Sequence, residues 1–98
     1  MTRIAVIGSG LIGRAWAITF ARGGYEVALY DRQDGAPAAA RQYIAGILPW
    51  LAEFDLLGGH RLEVVLDRIT IGESLVAALD GAVHVQENTP ENLEIKRG

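Results

Sequence analysis

The 98-residue sequence contains no cysteine, which excludes disulfides and thiol chemistry and fits a reducing compartment. It has only two histidines, His60 and His84, and neither belongs to a close histidine–carboxylate cluster at metal-ligand spacing, so no metal site is expected. Nine basic residues against twelve acidic ones leave a net charge of −3. The basic residues are scattered rather than gathered into a stripe, which argues against a nucleic-acid partner. No apolar run reaches the ~18 residues of a membrane span. No charged leader with an apolar core precedes the first apolar segment, so the expectation is a cytoplasmic protein without a membrane partner. Gly-x-Ser-x-Gly, the elbow of a serine nucleophile, is absent as well. Half of the residues are apolar, enough for one small core but not for two domains.

What the chain does have is concentrated near its start. An apolar strand, Arg3–Ile7, runs into Gly8-Ser9-Gly10-Leu11-Ile12-Gly13, then into an amphipathic helix over Leu11–Arg22 stopped by Gly23-Gly24, then into a second strand, Val27–Tyr30, that ends at Asp31. This layout suits a dinucleotide. Gly8 allows a sharp turn out of the strand, Gly10 leaves room for a pyrophosphate to approach helix-terminal amides, and Gly13 lets the helix pack closely on the strand. Asp31 follows Gly10 by 31 − 10 = 21 positions, near the ~20 expected of the acid that hydrogen-bonds a ribose 2′-hydroxyl. That carboxylate favours NAD over NADP, although the guanidinium of the neighbouring Arg32 offers a partner for a 2′-phosphate. Ser9 reads as a small residue in the phosphate turn.

Further along, Asp34 is the expected cap of a long alanine-rich helix with Pro37 in its first turn, running toward Leu57 and kinked or divided near Leu48 by Pro49. Within it Ile44, Ile47, Leu48 and Leu51 follow helical spacing as core or interface. Trp16 and Trp50 fall in apolar helical runs and are expected to pack in a core or subunit contact. His60–Asp67 reads as a short helix, Arg68–Ile71 as a third strand, Ser74 as the cap of a helix through Leu79, and Ala82–Gln86 as a fourth strand with Glu87 at its end. Thr89-Pro90-Glu91 has the form of another helix start. His60 is expected in a solvent-facing loop or helix end and His84 on a strand; neither is expected to be catalytic. Alternating strands and helices with right-handed crossovers give an α/β fold, a Rossmann-type parallel sheet with helices on both faces, incomplete at about four strands in the order 3-2-1-4. The C-terminal ends of strands one, two and four then converge, bringing Gly8, Asp31 and Glu87 to one rim. A fourth strand left on an edge invites self-association, hence a homo-oligomer.

The segment Ile7-Gly8-Ser9-Gly10-Leu11-Ile12-Gly13-Arg14-Ala15-Trp16-Ala17, together with Val85-Gln86-Glu87-Asn88-Thr89-Pro90-Glu91-Asn92-Leu93-Glu94-Ile95-Lys96, resembles the NAD-binding domain of the 3-hydroxyacyl-CoA dehydrogenase superfamily. It is most similar to the lambda-crystallin branch, which includes L-gulonate 3-dehydrogenase. The likeness covers essentially the whole chain, and the second segment is the more specific. It implies oxidation of the 3-hydroxyl of a hydroxyacyl-CoA or hydroxy acid, a small-molecule substrate, with hydride passing to NAD. By motif position Gly8, Gly10 and Gly13 would hold the pyrophosphate and Asp31 the adenosine ribose, with Ser9, Leu11, Ile12 and Arg32 completing the cofactor-binding set. Glu87 would lie near the nicotinamide ribose, and Asn88 and Lys96 are further candidates at that end. The family's catalytic histidine, in a His-Phe-Asn-Pro-like or His-Pro-Val-Asn-like segment, has no counterpart here, nor has its C-terminal helical domain. The expectation is a partial N-terminal NAD-binding domain over residues 1–98, inactive alone, with a non-catalytic NAD-binding module or a crystallin-like structural protein as the alternatives.

Overall fold

A computed structural model describes residues 2–88. Along the chain it forms β1 (Arg3–Ile7), α1 (Leu11–Arg22), β2 (Glu26–Tyr30), α2 (Ala36–Glu53), α3 (Leu62–Asp67), β3 (Ile69–Ile71), α4 (Leu75–Leu79) and β4 (Ala82–Glu87). The strands make one sheet in the order β3-β2-β1-β4, every pair parallel, as the crossover rule requires. The helix start expected at Thr89-Pro90-Glu91, and Lys96, lie outside the described residues.

Side-chain alternation along the strands splits the apolar residues between two faces. Ile4, Val6, Val27, Leu29 and Ile69 meet Ala17, Ile18 and Ala21 of α1 and Ala40, Ile44 and Leu48 of α2 in a single core. The intervening Ala5 and Ala28 are fully buried on the opposite face, where α4 packs against β1 and β2 and buries Ala78. Small residues on that face let α4 approach closely: a methyl group added to Gly72 would lie 2.7 Å from the Ala78 methyl. Arg3 ties the layers together, pairing with Glu26 at 3.0 Å across β1 and β2 and donating to the Ala77 carbonyl in α4.

One local expectation is corrected and two are narrowed. Gly35, not Asp34, caps α2, because the turn leading into it needs a positive φ (78°), which glycine adopts without strain. Helix α2 is not divided at Leu48: it continues through Pro49 to Glu53. Pro49 removes one amide donor near the end of the helix, while the fully buried Ile44 and Leu48, with Ile47 and Leu51 packed beside them, hold that segment to the sheet. The tryptophans are not core residues. Trp16 is 37% exposed and stacks on Phe20 at 5.3 Å; Trp50 is 60% exposed and lies against Phe54. Ser74 does cap α4, accepting from the Ala77 amide at 3.0 Å.

Candidate cofactor site

The glycine turn is anchored by the strands on both sides of β1. The Gly8 amide donates to the Tyr30 carbonyl at the end of β2, and the Asn88 amide donates to the Ile7 carbonyl just past the end of β4. Gly8 itself has φ 96°, a conformation that a side chain would strain. Gly13 answers a different constraint. A β-carbon there would run into the Gly8 carbonyl oxygen, so α1 can lie this close to the turn only without one.

Gly10 needs no such explanation from the protein's own packing. Its φ is −67°, open to any residue, and among the described residues, its chain neighbours aside, no atom lies within 4 Å of where its β-carbon would be. It is also the N-cap of α1 and supplies no capping side chain, so the first-turn amides carry partial positive charge that its own side chain does not satisfy. A glycine that the fold does not demand, at an uncapped helix start, suits a ligand that must touch main chain. Leu11 and Ile12, the first helical residues, are 72% and 65% exposed beside it.

Asp31 stands where the sequence places it, at the end of β2 facing the turn. Its Oδ2 accepts from the Ser9 amide at 2.9 Å and the Ser9 hydroxyl at 3.1 Å, and its Oδ1 accepts from the Gln33 amide at 2.9 Å. Burial pushes its carboxyl up, but the amides of Ser9 and Gln33, the Ser9 hydroxyl and the charge of Arg32 together outweigh that and hold it below the ordinary aspartate value. Asp31 is therefore a fixed anion at neutral pH. Ser9 does more than save space: it is 3% exposed and orients the carboxylate. A cleft of about 190 Å³, lined by Asp31, Arg32, Gln33 and residues of the β3 end, opens beside the carboxylate. Among the described residues no group of histidine, cysteine or carboxylate side chains is placed to hold a metal ion. No helix among them is long and apolar enough to cross a membrane.

This strand, turn, helix and carboxylate geometry can be set against known proteins. The model for "3-hydroxyacyl-CoA dehydrogenase, NAD binding domain" matches residues 3–98. The chain belongs to the 3-hydroxyacyl-CoA dehydrogenase family. It is the NAD-binding domain of that family, and its cofactor is NAD. Mouse lambda-crystallin homolog is 41% identical over 95 residues, which cover 96% of this chain and 30% of that protein. The L-carnitine dehydrogenase of Streptomyces griseus is 37% identical over 95 residues, covering 97% and 27%. The chain thus spans about a third of the length of the curated relatives it matches. Among solved structures, 3-hydroxybutyryl-CoA dehydrogenase from Escherichia coli superimposes with a TM-score of 0.82 at 32% identity, covering 98% of this chain and 20% of that one.

Within this NAD-binding domain the remaining candidates occupy two positions. Glu87, exposed at the end of β4, pairs in register with Ile7, next to the turn and across β1 from Asp31. Asn88 points back into the protein: its Nδ2 donates to the Ile7 carbonyl at 3.3 Å and its Oδ1 accepts from Gln86. It braces the turn. His60 lies exposed in the loop between α2 and α3, whereas His84 sits on β4 with its ring 5.9 Å from Phe20. Sequence reasoning missed Arg14 and Tyr43. Arg14 donates through Nε to the Ser9 carbonyl at 3.0 Å and lies over the Tyr43 ring at 4.7 Å. The available signal was its place four residues after Gly10, one helical turn along the same face.

Proposed function

We propose that the chain forms the NAD-holding part of an oxidoreductase that oxidises the 3-hydroxyl of a hydroxyacyl-CoA or hydroxy acid. The observation that carries this reading is the Asp31 carboxylate, ionised and held by Ser9 and Gln33 beside an uncapped glycine turn. In this reading Asp31 accepts from an adenosine ribose hydroxyl, the first-turn amides of α1 hold the pyrophosphate against Gly10, and Glu87 lies toward the nicotinamide ribose. Bound there, NAD supplies the hydride acceptor. The relative named for L-carnitine supports a substrate of this class, since carnitine is itself a 3-hydroxy carboxylate.

Alcohol oxidation also needs a base for the hydroxyl proton. We assign that role to neither histidine: His60 is in a solvent-facing loop, and His84 is engaged with Gln86 at 3.4 Å and with Phe20. The 98 residues alone should therefore bind NAD without turnover. The test is NADH formation from 3-hydroxybutyryl-CoA, L-gulonate and L-carnitine, with and without the C-terminal portion of a lambda-crystallin relative added in trans. Binding alone, with turnover only on addition, is the expected result. Turnover by the 98 residues alone, or absence of NAD binding, contradicts the proposal, and binding with no activity under any condition favours a non-catalytic module.

A further inference from the structure

The ribose carboxylate is oriented by Ser9, and Ser9 is in turn held by side chains outside the expected cofactor contacts. Arg14 bonds the Ser9 carbonyl, and its guanidinium rests on Tyr43, two turns into α2. Guanidinium is a rigid planar group that includes Nε, so a ring that holds its centre also restrains where the Nε–H donor sits. The Ser9 carbonyl belongs to the same planar trans peptide as the Gly10 amide, whose N–H points to the opposite side. A hold on the carbonyl is therefore a hold on the amide. Both side chains line a groove of about 270 Å³ between α1 and α2, with Leu11, Ile18, Ile47 and Leu51.

We infer that Arg14 and Tyr43 are positioning residues for the cofactor: with the guanidinium seated over the ring, they fix the Ser9–Gly10 peptide from α2, and with it the Gly10 amide. This rests on the reading that the turn and Asp31 receive the adenosine diphosphate part of NAD. It makes α2 part of the cofactor site without contact to the cofactor. Tyr43 supplies a ring face rather than its hydroxyl, so phenylalanine serves in its place. Tyr43→Leu leaves the charge of Arg14 in place, which separates bracing from simple attraction of phosphate.

The test is calorimetric titration of NAD into the protein and its Arg14→Ala, Tyr43→Leu, Tyr43→Phe and Arg14→Ala/Tyr43→Leu variants, with a thermal melt of each. Arg14→Ala and Tyr43→Leu are each expected to weaken binding about three- to tenfold, the size of a lost cation–π contact. The double variant should be no weaker than the worse single one, and Tyr43→Phe should bind as the parent does. Unchanged affinity in both single variants, additive losses in the double, or losses that track a fall in melting temperature would each overturn the inference. Failure of the underlying reading looks different: the parent would not bind NAD, or Asp31→Asn would bind it as well as the parent.

Discussion

Substituting alanine at Gly13 and at Gly10 separates what the fold requires of the turn from what the ligand requires. At Gly13 the new methyl would overlap the Gly8 carbonyl oxygen and sit 2.9 Å from its carbon, where real methyl carbons keep at least 3.0 Å. Neither atom belongs to a flexible side chain, so α1 or the turn must move. Overpacking of this kind costs about 1–3 kcal/mol. The obstacle is backbone held by Tyr30, which places the cost at the upper end, and the better helix propensity of alanine returns about 1 kcal/mol. A net destabilisation of about 2 kcal/mol is expected, read from urea unfolding. At Gly10 the methyl meets nothing among the described residues, and the cost is that of a poorer N-cap, about 1 kcal/mol or less. Affinity for NAD, read by calorimetry, should nevertheless fall at least tenfold in Gly10→Ala, because the methyl occupies the space proposed for the pyrophosphate. If Gly13→Ala were as stable as the parent, the close approach would not be the reason for glycine there. If Gly10→Ala bound NAD normally, the open space above the helix start would not be where the pyrophosphate lies.

Acid should reveal the held state of Asp31. Its folded-state value lies below the ordinary one, so its carboxylate stabilises the fold above the ordinary aspartate value of 3.8 and that contribution is lost as pH falls below it. Asp31→Asn should therefore be less stable than the parent at pH 7, with the gap closing under acid; a constant gap in unfolding free energy from pH 7 to pH 3 would contradict this. Leu29→Ala removes a fully buried side chain from the centre of the core and should cost about 2–5 kcal/mol in the same unfolding assay. Among the described residues β4 pairs only with β1 and exposes Val83 and Val85, so light scattering should find self-association, reduced by Val83→Lys; a monodisperse parent monomer would remove this expectation.

Features set by neighbours in the chain were legible before the structure was known. The glycine spacing, the helix over Leu11–Arg22, the carboxylate closing β2 and the capping hydroxyl of Ser74 each depend on a few adjacent residues, and handedness then fixes the strand order. Where two local devices competed, the sequence alone did not decide the outcome. At Asp34-Gly35 a capping carboxylate and a left-handed glycine stand side by side, and backbone conformation won. At Pro49 a lost helix bond opposed the burial of Ile44 and Leu48, and burial won. Contacts between distant positions left no local trace. The bonds from Ser9 to Asp31, the seat of Arg14 over the Tyr43 ring and the inward turn of Asn88 join residues that only the folded sheet brings together. The exposure of Trp16 and Trp50 belongs with these, because helical spacing identifies an apolar stripe without saying where it ends.

The most direct test of the account is a crystal structure of the protein with NAD. It should show the pyrophosphate against the Gly10 main chain at the start of α1, and Asp31 Oδ1 or Oδ2 about 3 Å from an adenosine ribose hydroxyl. A dinucleotide bound elsewhere on the sheet, or lying on the turn with its ribose away from Asp31, would contradict it.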